Sequence, residues 1–399
     1  MSESTATAFL KKVQHTGFMV GGAGLVLCLF GAFANINQFY QSYLLAWLFW
    51  VGMAAGCLAL LMIQHLTGGS WGYLIRRILE AGTRTFPGLA VFTVPLWFAI
   101  PKLYIWASPE VLHGDVVLAH KAPWLNVPFF VGRTAFYFAV WMVLAFLLNK
   151  WSAEQDRTGD PRLAGKMEAL SGPGLAIFGL VATFNAIDWA MSLEPHWFST
   201  MYGLHFALGQ TLSGLALAIV MVRLLSDYDP VSKVVRPAQF HDLGNLLLAF
   251  VMLWAYLTVS QFLIIWAGNL PEELPWYLHR TASGWQVIAL ALVVFHWAVP
   301  FFILLFRDVK RRAGRLAAIA GIMIFMRMLD TFWLIKPAFS TEGFSISLLD
   351  LTWLVGLGGM WVGYFCFELR RRPLLPVHDP IGTQLAAARG HEHGLPEHA

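Results

Sequence analysis

Asp188-Trp-Ala-Met-Ser-Leu-Glu-Pro195, running on to Phe198-Ser199-Thr200 and Gly203, returns as Asp330-Thr-Phe-Trp-Leu-Ile-Lys-Pro337, running on to Phe339-Ser340-Thr341 and Gly343. Each phrase closes a long apolar run, so each marks the end of a membrane helix. A second echo lies upstream of both, where Ile105-Trp106-Ala107-Ser108-Pro109-Glu110 resembles Ile265-Trp266-Ala267-Gly268-Asn269-Leu270-Pro271-Glu272. Both echoes relate helices four apart. An even offset preserves direction across the bilayer, which predicts parallel repeats related by an axis along the membrane normal.

Working outward, the 399-residue chain is 58% hydrophobic and only 13% charged, with a mean hydropathy of +0.61. That balance excludes an ordinary soluble globule. Apolar runs of spanning length fall near 18–34, 43–66, 86–107, 128–149, 172–193, 201–224, 240–266, 286–306, 316–335 and 347–369. A β-barrel would show short alternating segments instead. The expected fold is therefore an all-α membrane protein of ten transmembrane helices, with two parallel-repeat four-helix bundles (about 43–193 and 201–335) and flanking helices. Residues 1–17 read as an N-terminal cytoplasmic segment, 18–369 as the membrane domain and 370–399 as a disordered cytoplasmic tail.

Twenty-one of the 27 Lys and Arg residues fall on the side of the N-terminus, in segments 11–12, 76–84, 150–166, 223–236, 307–315 and 370–389. By the positive-inside rule both termini are cytoplasmic. These basic loops report topology, and no nucleic-acid partner is expected. Met1 to Thr16 is polar with no cleavage pattern, so the first helix is expected to be retained. Cys28, Cys57 and Cys366 are isolated within spans, which offers no disulfide framework and no haem-attachment or cluster ligand set. The Asn149–Ser171 stretch reads as a solvated connector. The 108–127 and 267–285 loops, rich in Pro, Trp and acids, read as interfacial segments for a periplasmic partner to dock on.

Charged groups inside spans are costly and invite a partner or a pathway. By depth, Lys102, Asp188, Gln261 and Asp330 form one layer near the outer face, which His205 enters from the sixth span. Arg133 and Asp350 flank it, and Arg327 can share a helix face with Asp330 at i, i+3. Two readings stand: structural ion pairs locking the bundles together, or an outlet for protons, since burial and neighbouring cations can tune carboxylates toward neutral pH. Asn185, Gln210 and Tyr256 extend the polarity toward the midplane. His65, and His241 with Asp242, are the next candidates inward. His296 sits mid-helix in the eighth span with Pro300 one turn on. His205 lies too near the outside and His65 too near the inside to complete a bis-histidine haem site, so a core or proton-exchanging role is expected. The tail's His391, His393 and His398 give a weak metal signal.

The phrase Asp188 to Gly203, the phrase Trp254-Ala-Tyr-Leu-Thr-Val-Ser-Gln-Phe-Leu-Ile-Ile-Trp-Ala-Gly-Asn-Leu-Pro-Glu-Glu273, and the run from His296 through Pro300 to Arg307-Asp308-Val309-Lys310 resemble alternative complex III, a bacterial quinol:electron-acceptor oxidoreductase. The likeness, over residues 10–372, is to the second of its two ten-helix membrane components, often described as quinone-binding subunit 2. More distantly the chain resembles polysulfide-reductase-type (NrfD-like) membrane subunits. The resemblance implies a bacterial cytoplasmic membrane and, as partners, a multihaem cytochrome c, a periplasmic iron–sulfur protein and a larger homologous ten-helix quinol-binding subunit, besides membrane lipid. It implies a scaffold and proton-translocating role with no cofactor bound by this chain, quinone or menaquinone belonging to the complex. The rival is a stand-alone secondary transporter, which predicts interrupted helices at corresponding positions of the two halves. Pro95 and Pro101 are expected to interrupt the third helix, and the seventh has no counterpart.

Overall fold

The computed structural model describes residues 5–340, 343–379 and 381–382. Thr341 of the second phrase and the three tail histidines lie outside the described residues. Ten helical segments are long and apolar enough to cross a membrane: span 1 (Thr5–Ala34), span 2 (Ile36–Thr67), span 3 (Ser70–Leu103), span 4 (Val127–Thr158), span 5 (Arg162–Leu193), span 6 (Thr200–Leu225), span 7 (Pro237–Gly268), span 8 (Trp285–Leu305), span 9 (Ala313–Phe339) and span 10 (Leu348–Arg370). There is no strand among the described residues. The protein is an all-α, multi-pass membrane protein.

Several boundaries differ from the hydropathy reading. Span 1 is helical from Thr5, so most of the segment expected before residue 18 belongs to it. The connector expected over 149–171 is helix on both sides of a tight turn, where Gly159 adopts φ 69° and Pro161 precedes the next helix. The cause is the same in both places. A helix satisfies its own backbone, so it runs past the apolar layer at little cost, whereas hydropathy detects only the part that suits lipid. Span 3 is broken at Arg84–Thr85 into Ser70–Thr83 and Phe86–Leu103. Pro95 and Pro101, expected to interrupt it, lie inside the unbroken second piece.

Helix ends follow local chemistry. Asn35 and Asn126 cap spans 2 and 4 by accepting from the Gln38 and Phe129 amides, and Ser347 with Asp350 forms a capping box on span 10. Both echoed phrases tighten into a 3-10 turn, Met191–Leu193 and Lys336–Phe339, as each helix stops. On the far side from the N-terminus the chain forms short helices at Pro109–Gly114, Val116–Lys121 and Leu274–Arg280.

Span 2 is the hub and is almost wholly buried. Spans 2–5 pack on one another, spans 6–9 do likewise, and span 6 meets spans 2 and 5 between the two groups. Span 10 lies against span 2, and span 1 packs chiefly on span 10. Small residues set the closest approaches, as expected where lipid supplies no hydrophobic drive between helices. A Cβ on Gly214 would stand 2.7 Å from the Gly56 carbonyl carbon, and one on Gly24 would stand 2.6 Å from the Gly356 Cα. By contrast, a Cβ on Gly179 would meet nothing within 4 Å. Gly214→Ala is expected to destabilise the protein by roughly 1–3 kcal/mol through overpacking, whereas Gly179→Ala is tolerated. Thermal unfolding in detergent with gel filtration distinguishes them; equal melting would refute the close 2–6 contact.

Candidate functional site: ionic layers at both ends of the bundle

The residues expected in the far-side layer differ sharply in how they are placed and paired. Asp188, near the end of span 5, is completely buried. Arg133 of span 4 grips it in bidentate fashion, Nε to Oδ2 at 2.8 Å and Nη2 to Oδ1 at 2.9 Å. Tyr137 Oη donates at 2.6 Å and Trp124 Nε1 at 3.1 Å. Four donors therefore meet a carboxylate that has about four lone-pair positions. The guanidinium also stacks 4.1 Å from the Trp124 ring centroid and 4.3 Å from that of Phe129. Asp188 is saturated, which suits a pin holding spans 4 and 5 together.

Two further pins complete the rim. Asp350 accepts from Ser42 Oγ at 2.6 Å, Gln38 Nε2 at 3.1 Å and Lys336 Nζ at 3.4 Å, so it joins spans 2, 9 and 10. Arg280, wholly buried, pairs with Glu194, donates to the Leu334 carbonyl at 2.9 Å and lies 3.9 Å from the Trp276 ring centroid. Glu194, Arg280 and Lys336 were not foreseen as site residues. The signal was present in the echo, since Glu194 and Lys336 occupy the same place in the two phrases.

Asp330 is built differently. Among the described residues it takes a hydrogen bond only from Arg327 Nη1, one turn back on its own helix, and both are buried. The guanidinium lies over Gly209 of span 6, where a Cβ would come within 2.6 Å of Nη1. Arg327 Nε has no hydrogen-bond partner among the described residues. Next to the pair, His205 Nε2 lies 3.1 Å from Thr258 Oγ1. The ring centroids of His205 and Trp254 are 5.8 Å apart, and those of Trp254 and His296 are 4.0 Å apart. His296 is fully buried, and neither ring nitrogen has a hydrogen-bond partner among the described residues. It sits in a π-helical segment, Leu292–Ala298, a departure from α geometry that recurs at functional sites.

Asp330, His205, Trp254, Thr258 and Tyr277 line one cavity of ≈ 220 Å³ between spans 6, 7, 8 and 9. Its mouth is formed by Val259, Phe262 and Val293, all exposed on the outer surface of the bundle. Gln261 holds Tyr277 Oη at 3.3 Å and accepts from Ser199 at 3.3 Å. The arrangement brings the Asp330 carboxylate, the His205 imidazole and the Thr258 and Tyr277 hydroxyls together beside an apolar, lipid-side opening, with His296 behind the Trp254 ring.

Other expected members fall elsewhere. Lys102 is exposed, with its ammonium 5.6 Å from the Tyr40 ring centroid, and Tyr256 is 65% exposed on the lipid-facing side of span 7. Both have the right depth but the wrong side of their helix. Asn185 and Gln210 are buried, and none of their side-chain polar atoms has a hydrogen-bond partner among the described residues. His241 and Asp242 are partly exposed at the start of span 7.

The N-terminal side holds the largest ionic cluster, which hydropathy and charge position do not reveal. Arg76 and Arg77, expected as loop markers of topology, are buried within the first piece of span 3. Glu80, one turn on, accepts from Arg76 at 3.2 Å, from Arg77 at 2.6 Å and from Ser152 at 2.5 Å. Arg76 also reaches Asp379 at 3.2 Å, and Arg77 reaches Asp156. Arg84, at the helix break, binds Glu368 at 2.9 Å and Asn149 at 2.7 Å. His65, whose Nε2 has no hydrogen-bond partner among the described residues, lies within the field of Arg76, Arg77 and Glu80. The spacing Arg76-Arg77-x-x-Glu80 was the available signal, because i, i+3 and i, i+4 pairs face each other on a helix.

The loops on the far side are tied by His196 to Asp115 at 2.5 Å and by Lys121 Nζ to the Pro195 carbonyl at 2.5 Å. The His196 contact, with the Leu118 and Val117 amides, holds the Asp115 carboxyl below its ordinary range. Among the described residues no group of three or more His, Cys, Asp or Glu is gathered as a metal site. No protein-family model and no curated protein matches this chain.

The Arg133–Asp188 pair gives a direct test. Arg133→Gln strands a buried carboxylate and is expected to cost roughly 3–5 kcal/mol, while Arg133→Gln with Asp188→Asn removes both charges and recovers most of it. Thermal unfolding in detergent measures both, and a double variant no more stable than the single one would refute the pin.

Proposed function

We propose that this chain is a membrane subunit of a quinol-oxidising respiratory assembly, and that its share of the work is to accept and move protons. The observation that carries the reading is the cavity in which Asp330 and His205 face an opening among exposed apolar residues of spans 7 and 8. A cavity of about 150 Å³ is enough to hold benzene, so a substituted aromatic headgroup is a fitting occupant. When a hydroquinone is oxidised it releases two electrons and two protons. The electrons pass to redox centres on partner subunits. The Asp330 carboxylate and the His205 imidazole accept those protons, and His296, against the Trp254 ring, is the next base inward.

The quoted phrases support alternative complex III as the assembly, with a larger homologous ten-helix subunit, a periplasmic iron–sulfur protein and a multihaem cytochrome c as partners. The skew of basic residues supports a bacterial cytoplasmic membrane with both termini inside. Spans 2–5 and 6–9 are taken as parallel repeats. Asn185 and Gln210 serve as stepping points between the far-side layer and the Glu80 cluster.

A stand-alone transporter is the second reading; span 3 is broken and span 8 carries a π segment, but these are not corresponding spans of the two halves, and span 7, the counterpart of span 3, is an unbroken helix. Affinity purification of the tagged chain from its native membrane separates the two. Copurification with a cytochrome absorbance is expected, and a chain that runs alone would overturn the assembly reading. Within the assembly, Arg327→Gln with Asp330→Asn avoids a stranded charge. It is expected to preserve subunit content on a native gel while lowering quinol turnover and external acidification at least about tenfold, below the hundredfold or more that positioned acid–base groups can supply. Unchanged turnover and acidification would remove the case for Asp330 as a proton acceptor.

A further inference from the structure

On the N-terminal side, a crevice of ≈ 570 Å³ opens between span 4, the break in span 3 and the end of span 10. Its charged lining is Arg84, Lys150, Arg371, Arg372 and a single carboxylate, Glu368. The buried part of this ionic cluster balances by itself. Arg76, Arg77 and Arg372 pair with Glu80, Asp156 and Asp379, and Arg84 pairs with Glu368, the two sets bridged by Asn149 Oδ1, which accepts from both Arg84 and Arg372.

Lys150 and Arg371 are left over. Lys150 is exposed and has no ion-pair partner among the described residues, and Arg371 touches the already paired Glu368 at 3.3 Å from a side chain 60% exposed. Below these two cations the crevice is apolar. Met142, Phe146 and Lys150 follow at four-residue steps on span 4, so they form one stripe, and Phe146 is 64% exposed. Pro87 faces the same space. The crevice therefore presents two surplus positive charges at its rim and a hydrocarbon wall running toward the membrane interior.

We infer that this crevice is a binding site for an anionic phospholipid, with headgroup phosphate held by Lys150 and Arg371 and an acyl chain lying along Phe146 and Met142. Basic pockets between membrane helices take such headgroups. A free phosphate would answer the charge but would leave the apolar wall unused.

The test uses the full chain, in its assembly where one is recovered, delipidated in detergent and examined by native mass spectrometry. Cardiolipin, phosphatidylglycerol, phosphatidylcholine and inorganic phosphate are titrated separately. The wild type is expected to retain one cardiolipin or phosphatidylglycerol per chain in preference to phosphatidylcholine. Lys150→Gln with Arg371→Gln should weaken that retention roughly thirtyfold, the effect of two membrane-surface cations. Phe146→Ser should weaken lipid retention without altering any phosphate binding. Both variants change exposed side chains, and an unshifted melting curve confirms that they fold. Equal anionic-lipid retention in wild type and double variant would overturn the site. So would inorganic phosphate competing fully with the lipid at low millimolar concentration, which would make it a simple anion site.

Discussion

A charge carried into a lipid-embedded helix bundle must find its counter-charge within the chain, because no solvent is there to stabilise it. This constraint organises the protein at both ends. On the far side Arg133–Asp188, Arg280–Glu194 and Lys336–Asp350 each tie together separate segments of the chain. On the N-terminal side Glu80 gathers Arg76 and Arg77 from its own helix, and Arg372 at 3.6 Å from beyond span 10. Apolar packing between these layers, set by glycine contacts such as Gly56 with Gly214, brings the helices close, and the ion pairs decide their register. Buried pairs of this kind contribute little net stability, yet losing one partner is severe.

Within that scheme, Asp188 and Asp330 have different surroundings at matching positions in the sequence. The first is saturated by donors from the preceding span and its loop. The second depends on an arginine of its own helix and shares a cavity with His205. The difference is one of neighbours. Span 4 offers Arg133 and Tyr137 one turn apart on the face toward Asp188, whereas among the described residues no corresponding cation reaches Asp330 from span 8, whose π segment carries His296 instead. A carboxylate with open acceptor positions beside imidazole bases suits exchange of protons; a saturated one suits architecture.

The ten spans, their order and the charged residues that lie within them were legible in the amino-acid sequence, because hydropathy and the position of a charge along an apolar run report depth in the membrane. The echoed phrases marked the ends of spans 5 and 9, both of which close in 3-10 turns. The Arg327–Asp330 contact was legible too, since helical periodicity alone puts i and i+3 on one face. What depth does not contain is rotation about the helix axis. Lys102 and Tyr256 lie at suitable depths and face outward, while Arg76, Arg77 and Glu80 lie in a polar stretch that reads as a loop and yet face inward. Only the tertiary structure decided which side of each helix met a neighbour, and so which charges became pins, which became a cavity lining and which were left in surplus at the rim. The physical reason is that pairing depends on side-chain contacts within a few ångströms between spans far apart in the chain.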